Sequence, residues 1–495
     1  METERNRART SKSFSCAVLT AMFFSLCCSR SPRDIPPMAV VPSPQQMAYQ
    51  EMELIGFIHF TINTFTDKEW GDGSEDPALF APADLDAGQW VDVAKRAGMK
   101  GLILTAKHHD GFCLWPSKLT RHSVASSPWS GGKGDVVREL SRACRAAGIK
   151  MGLYLSPWDR NHPEYARSGY LTYYRSQLRE LLTGYGDVFE VWFDGANGGS
   201  GYYGGARENR TIDRASYYGW NETWALVKQL QSGAVIFSDA GPDVRWIGNE
   251  HGEAGETNWS TLNIDDIVVG AADRDYLNSG DPVGERWVVG ECDVSIRPGW
   301  FFHADQGAKS PQQLVDIYYR SVGRNATLLL NIPPDRSGRF HERDVQNLLE
   351  FRSIIDETFA KDLAADADVT ASHCFKGLAA HHIVDNDKST YWAAARSRQN
   401  AALTVRLHQP VRFDRIALAE PIRLGQRIAA FEIEARIEGN WVRIARGTTI
   451  GYKRLLRIPE TETDCLRLTI SESRALPALS FFGLYKASPR EATGE

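Results

Sequence analysis

Short apolar runs separated by amphipathic stretches fill residues 36–360. The runs are Leu54–Ile58, Gly101–Leu104, Met151–Leu155, Val188–Phe193, Ala234–Phe237, Trp287–Val289 and Thr327–Leu330, with Trp246-Ile247 as a further strand-like pair. Each has the length of a buried strand. Between them apolar residues return at helical spacing, as in Trp90, Val91, Ala94 and Ala97, or Val136, Val137, Leu140, Cys144 and Ala147. Ala-Gly pairs then stop those helices before the next run. This alternation predicts an α/β fold, a (β/α)8-like (TIM-type) barrel. Beyond Lys361 the period changes to two, as in Leu403–Leu407, Phe413–Leu418, Phe431–Ala435 and Cys465–Ile470. Such alternation predicts a C-terminal antiparallel β-sandwich over 363–488.

The first 32 residues do not belong to either pattern. Arg5, Arg7, Arg9 and Lys12 precede an apolar stretch from Phe14 to Cys28, closed by Ser29, Arg30, Ser31 and Pro32. This is the layout of a secretory signal peptide. Cys27 and Cys28 stand where a lipoprotein carries its lipidated cysteine, so a lipid anchor is one form of the expected secreted or periplasmic location. Removing this segment leaves Cys113, Cys144, Cys292, Cys374 and Cys465. Five scattered cysteines without a CxxC pair predict mostly buried free thiols rather than a zinc site or a disulfide framework.

Composition narrows the function. With 57 Lys+Arg against 62 Asp+Glu, the chain offers no basic stripe, which argues against nucleic acid as a partner. No apolar run of membrane-spanning length follows residue 32. Aromatics stand out, with 14 Trp, 17 Tyr and 21 Phe, many beside Gly, His, Asp or Asn. Rings in such settings either pack cores or stack on sugar faces.

The polar residues His59, His108, His109, Asp110, Tyr154, Asp194 and Asp239 all fall at the C-terminal ends of the apolar runs. Barrels of this type build their active sites there. In Val191-Trp192-Phe193-Asp194-Gly195, strand alternation sets Trp192 and Asp194 on one face. Adjacent residues of an extended segment point to opposite sides, so His108-His109 is expected to chelate a metal poorly and to serve as hydrogen-bonding groups instead. Cleavage of a glycosidic bond needs a second carboxyl. Residues 246–259 supply Glu250, Glu253 and Glu256, and composition does not choose among them; Glu250 comes soonest after the strand-like pair.

Ile58-His59-Phe60, Lys107-His108-His109-Asp110-Gly111-Phe112, Trp192-Phe193-Asp194-Gly195 and Leu328-Leu329-Leu330-Asn331-Ile332-Pro333-Pro334, in that order, resemble the α-L-fucosidases of glycoside hydrolase family 29. The resemblance implies a retaining exo-hydrolase of fucosylated oligosaccharides or glycoconjugates in which Asp194 is the nucleophile. It further implies that His59, Glu69, Trp70, His108, His109, Tyr154 and Trp192 grip the sugar. Gly248-Asn249-Glu250, residues 255–259 and Ile296-Arg297-Pro298-Gly299-Trp300-Phe301 resemble the branch restricted to α-1,3/1,4 linkages. In that branch Glu250 corresponds to the acid/base, and Trp300 and Trp259 become candidate contacts outside the pocket. Asp385–Ala393 is similar to discoidin or coagulation-factor-type domains, where Asp385 and Asp387 could lie near a structural calcium. No cofactor is expected in the barrel. The rival readings are a metal-dependent barrel hydrolase and a non-catalytic glycan-binding protein.

Overall fold

The computed structural model describes residues 34–195, 201–239, 241–265, 267–395 and 400–491; the expected signal segment lies outside them. Eight parallel strands close into a barrel in chain order: β1 (Leu54–Ile58), β2 (Gly101–Lys107), β3 (Lys150–Leu155), β4 (Glu190–Trp192), β5 (Val235–Ser238), β6 (Val244–Trp246), β7 (Val289–Ser295) and β8 (Thr327–Asn331). Among the described residues six helices of ten residues or more surround it: α1 (Ala87–Arg96), α2 (Val136–Ala147), α3 (Gly169–Gly184), α4 (Trp220–Leu230), α5 (Pro311–Arg320) and α6 (Glu342–Thr358). Local chemistry sets the helix ends. Asp86 and Asp135 cap α1 and α2 by accepting backbone N–H groups at 2.9 Å, and Gly148 ends α2 at φ 72°. Between β5 and β6 residues 239–243 are too few for a helical crossing, and between β6 and β7 the helix is only the short Arg274–Ser279. Asp243 tightens the first of these returns, accepting from the Ile236 amide at 2.8 Å and from Lys228 at 2.6 Å.

Period-two alternation divides the strand residues between two cores. Ile55, Phe57, Ile103, Tyr154, Trp192, Phe237, Val244, Val289 and Leu329 fill the barrel interior. Their neighbours Leu54, Ile58, Leu102, Leu104, Leu153, Val191, Ile236 and Leu328 face the helices. Continuing the inward series by two residues past Phe57, Trp192, Phe237 and Leu329 reaches His59, Asp194, Asp239 and Asn331 at the barrel mouth.

The C-terminal domain is an antiparallel sheet of β9 (Asp368–Ala371), β10 (Ala401–Ala419), β11 (Ile428–Ile437), β12 (Asn440–Gly447), β13 (Arg454–Ser473) and β14 (Phe481–Tyr485). Its order is β9-β10-β13-β11-β12, with β14 also on β10, and a short pair of Trp392–Ala393 with Ala478–Leu479 stands apart. The two runs expected at 403–407 and 413–418 are one strand, whose pairing shifts register between Arg406 and Val411 and again between Phe413 and Arg415. The Asp385–Thr390 loop closes on its own donors: Asp385 accepts from the Asp387 amide at 2.9 Å and from the Thr390 hydroxyl at 2.8 Å. Asp387 in turn accepts from Ser389.

This domain grips the barrel through residues 256–260. The Asn258 amide donates to Thr449 at 2.9 Å, the Ser260 amide donates to Gln426 at 2.8 Å, and Arg454 pairs with Glu256. Trp259 is therefore not an outer sugar contact: it is 4% exposed, beneath the Arg474 guanidinium. Asn258 and Asn325, both within Asn-x-Ser/Thr sequons, are buried with their side-chain amides hydrogen-bonded, and Asn325 Oδ1 accepts from the Tyr452 amide of the C-terminal domain at 2.7 Å. Cys113, Cys144, Cys292 and Cys465 are buried free thiols, while Cys374 is exposed.

Candidate active site

At the C-terminal mouth of the barrel, Phe57, His59, Glu69, Trp70, His108, His109, Trp192, Asp194, Glu250, Asp293 and Trp300 enclose a cavity of about 280 Å³. Tyr154, the remaining expected residue, reaches it through its hydroxyl, which donates to Asp194 Oδ2 at 2.8 Å. On the other side of Asp194, His109 Nε2 stands 3.5 Å from the same oxygen.

The hydrogen-bond network fixes what the imidazoles present. Asn331 Nδ2 donates to Ser295 Oγ at 2.9 Å and to the Trp300 carbonyl at 2.8 Å, so its Oδ1 is the acceptor for His59 Nδ1–H at 2.8 Å. His59 therefore turns an unprotonated Nε2 toward the cavity. Ser156 Oγ donates to the Trp158 carbonyl and accepts from His109 Nδ1–H, each at 2.7 Å, which leaves His109 Nε2 as an acceptor as well. Burial holds His59 and His109 down at about 3 and His108 well below its ordinary value, so all three rings are neutral near pH 7. Neutral rings suit hydroxyl recognition.

His108 and His109 both face the cavity, with ring centroids 4.0 Å apart, contrary to the expectation that neighbours in an extended segment diverge. β2 ends at Lys107 and the chain turns at once, the Gly111 amide donating to the His108 carbonyl at 3.0 Å. Lys107 points the other way, pairing with Asp159 and Gln177, each at 2.9 Å. Among the described residues, ligand atoms of His108, His109 and Asp194 lie within 4.8 Å of one another, the only such triple of metal-ligating side chains.

Trp192 is locked from below and beside. Its indole N–H donates to Glu291 Oε1 at 2.8 Å, and its ring stacks on Phe237 at 4.1 Å. Glu69 lines the cavity, yet its two oxygens accept from the Trp300 and Phe301 amides at 2.9 and 3.2 Å. One of those oxygens also contacts His303 Nε2 at 2.7 Å, so Glu69 clamps the loop that carries Trp300. Trp70, also on the cavity lining, is 54% exposed at its rim and meets His109 and Trp158 edge-on.

Of the three glutamates left open by the sequence, only Glu250 lines the cavity. Burial raises its pKa; the Trp300 indole N–H, donating at 3.3 Å, pulls it back, the Asp194 charge adds to the rise, and the net direction is up. Glu253 instead meets Arg320 and Arg324, at 3.5 and 3.4 Å. Burial also raises Glu256, but Arg454 and Arg324 outweigh it and hold the group below its ordinary value. Asp293 is a cavity residue that sequence reasoning missed. The signal was present in β7, where Glu291, Asp293 and Ser295 occupy alternate positions of an otherwise apolar strand.

Comparison with known proteins bears on this geometry directly. Residues 44–356, the barrel with its mouth, match the family described as Alpha-L-fucosidase. Alpha-L-fucosidase 1 of Arabidopsis thaliana is 45% identical over 91% of this chain and 88% of its own. The chain belongs to the α-L-fucosidases of glycoside hydrolase family 29. As a fucosidase it is a glycoside hydrolase, which removes the non-catalytic alternative. Residues 368–476 of the fucosidase match the F5/8 type C domain. Its fold superposes on the crystal structure of SpGH29 with a TM-score of 0.87 and 43% identity, covering 92% of this chain and all of that one. A family 29 fucosidase of Ruminococcus gnavus, solved in complex with fucose, gives 0.83 at 33% identity, covering 93% and 98% of the two chains.

Proposed function

We propose that the fucosidase is a retaining exo-enzyme that releases L-fucose from α-1,3/1,4-fucosylated, Lewis-type glycans through a covalent fucosyl-Asp194 intermediate. The observation that carries this reading is the pairing of two differently treated carboxyls in one cavity. Asp194 accepts a hydrogen bond from Tyr154, while burial and the Asp194 charge raise the pKa of Glu250, the direction a proton donor to a leaving group needs. In the first step Asp194 bonds to the anomeric carbon as the glycosidic bond breaks, and the Glu250 proton passes to the departing oxygen. In the second, water attacks that carbon, Glu250 takes its proton, and the Asp194 ester bond breaks.

Asp194→Ala should fold and lose about four orders of magnitude in turnover, near 5 kcal/mol of barrier at about 1.36 per decade. Azide should restore part of it and yield a fucosyl azide of inverted configuration; a variant that keeps a tenth of the rate sinks the nucleophile role.

The linkage reading rests on contacts outside the fucose pocket, because fucose alone distinguishes acceptors poorly. Trp300 on the cavity wall and the exposed Trp70 ring support it. A higher kcat/KM on Lewis-type trisaccharides than on a linear α-1,2-fucosyl-galactose is expected; equal values remove the linkage reading and leave the hydrolase. The basic start and apolar Phe14–Cys28 stretch support export of the enzyme, with or without lipid on Cys27 or Cys28; mass spectrometry of the mature N-terminus tests it. The His108, His109 and Asp194 triple favours one second reading, metal-assisted hydrolysis. Full turnover in the presence of a chelator rejects it.

A further inference from the structure

Asp293 is an acid of the cavity that neither the reaction above nor the clamping of the Trp300 loop by Glu69 uses. It sits on the inward face of β7 between Glu291 and Ser295, lines the cavity with Glu250 and Trp300, and is 3% exposed. Trp246 Nε1 donates to its Oδ1 at 2.8 Å, which leaves Oδ2 as the oxygen for the cavity. We propose that Asp293 works as a neutral carboxylic acid whose O–H donates a hydrogen bond to the bound sugar, binding substrate while Asp194 and Glu250 do the chemistry.

The inference rests on the fucosidase reading and deepens it. The balance of donors and acceptors motivates it. His59 Nε2, His109 Nε2 and Asp194 all present acceptors, so they can receive the hydroxyl protons of a sugar but cannot satisfy its oxygen lone pairs. The indole N–H of Trp300 is directed at Glu250. A protonated Asp293 adds a donor on the β7 side of this lining to the Nε2–H that neutral His108 keeps, because His108 Nδ1 accepts from Asn63 Nδ2 at 3.4 Å. Its surroundings keep it protonated: burial first, then Glu250 from the loop after β6 and Glu291 from its own strand, push its pKa well above the ordinary aspartate range. The Trp246 N–H and a backbone amide pull the other way and do not reverse it.

The test compares Asp293→Asn with Asp293→Ala in the full chain. An asparagine keeps the shape, accepts from Trp246 through its oxygen and donates through its NH2, whereas alanine does neither. Asp293→Ala should lose about 10- to 100-fold in kcat/KM on an aryl α-L-fucoside and weaken L-fucose binding in calorimetry by a similar factor. Asp293→Asn should recover most of that loss, to within about fivefold of wild type. Monodeoxy-fucosides add a readout that packing alone would not move. The analogue lacking the accepting hydroxyl should be cleaved equally by wild type and Asp293→Ala, and the others should keep the gap.

Asparagine as damaging as alanine would show that the charge matters and overturn the proposal. So would an undiminished gap on every deoxy analogue, or unchanged fucose binding in Asp293→Ala. If that variant does not fold, the ratio of wild type to Asp293→Asn on the deoxy series decides by the same logic. Wild type that releases no fucose would instead refute the underlying reading, and the inference with it.

Discussion

Arg297 is the strut beneath the loop that carries Trp300, and replacing it should separate stability from chemistry. Its Nε and Nη2 donate to the two oxygens of Asp344 at 2.8 and 2.9 Å, a bidentate pair between residues 3% and 0% exposed. The guanidinium also bonds the Gln306 carbonyl and lies 4.4 Å from the Phe302 ring centre. Arg297→Met keeps the apolar stem and leaves the Asp344 carboxyl buried without its partner. Breaking one side of a buried pair costs about 3–5 kcal/mol. Unfolding entropy of about 2.1 cal/mol/K per residue gives about 1 kcal/mol/K for 495 residues, so the melting midpoint should fall by about 3–5 °C. Adding Asp344→Leu removes the orphaned carboxyl and should recover at least half of that loss, because an apolar replacement of a whole buried pair is close to neutral. Calorimetry reads the midpoints. Kinetics on an aryl α-L-fucoside should show a raised KM, because the loosened loop carries the Trp300 amide bound to Glu69 and the indole bound to Glu250. A single variant melting within about 1 °C of wild type, or a double variant no more stable than the single, refutes the argument.

Glu250→Ala should slow fucosides with poor leaving groups far more than activated aryl fucosides, because only the former need a proton in the first step; equal slowing in steady-state kinetics removes the acid role. His59 and His109 are held at about 3 in the fold against about 6.5 in the unfolded chain, so unfolding takes up protons as pH drops below 6.5. The stability these neutral rings contribute is complete above that value and lost toward pH 3, with a slope approaching about 2.7 kcal/mol per pH unit for the two together. Melting curves between pH 7 and 4 read this slope, and His109→Gln should flatten it. Arg454→Ala removes one of the two guanidinium groups on Glu256, the one from the C-terminal domain, and should lower kcat/KM by about tenfold or less while leaving Asp194 in place; unchanged kinetics together with an unchanged midpoint would refute a role for that contact.

Much of the barrel was legible because its physics is local. An apolar run with a polar residue just past it marks a strand and its mouth, and the alternation from Trp192 to Asp194 holds in three dimensions. What local pattern could not show was where strands stop. The divergence expected of His108 and His109 assumes extended backbone, but the turn closed at Gly111 begins at His108, and both rings swing into the cavity. Trp259 was misread for another reason. A tryptophan among Gly, Glu and Asn looks exposed, yet Arg474 covers its ring and Gln426 binds the residues on either side of it, both from far along the chain. The absence of a helix between β5 and β6 was hidden because the strand-like pair Trp246-Ile247 does not show that β6 begins already at Val244.

The three glutamates after β6 show why residue type alone cannot assign an acid. Glu250, Glu253 and Glu256 are chemically identical and lie on one loop, so any difference between them must come from what the fold brings near. A general acid has to hold its proton until the leaving group takes it, which burial and carboxylate neighbours favour and a paired guanidinium opposes. Glu256 has Arg324 and Arg454 paired with it and Glu253 has Arg320 and Arg324, whereas at Glu250 burial and Asp194 outweigh the Trp300 indole N–H and the weaker pull of Arg274 and His251. The two ion-paired groups bind the loop to α5, to the turn after it and to the C-terminal domain, and thereby hold the third over the cavity. The arginines that make this distinction lie at 320, 324 and 454, beyond the reach of any motif around residue 250. One of them belongs to the C-terminal domain, so that domain takes part in positioning the acid whether or not it binds a sugar of its own.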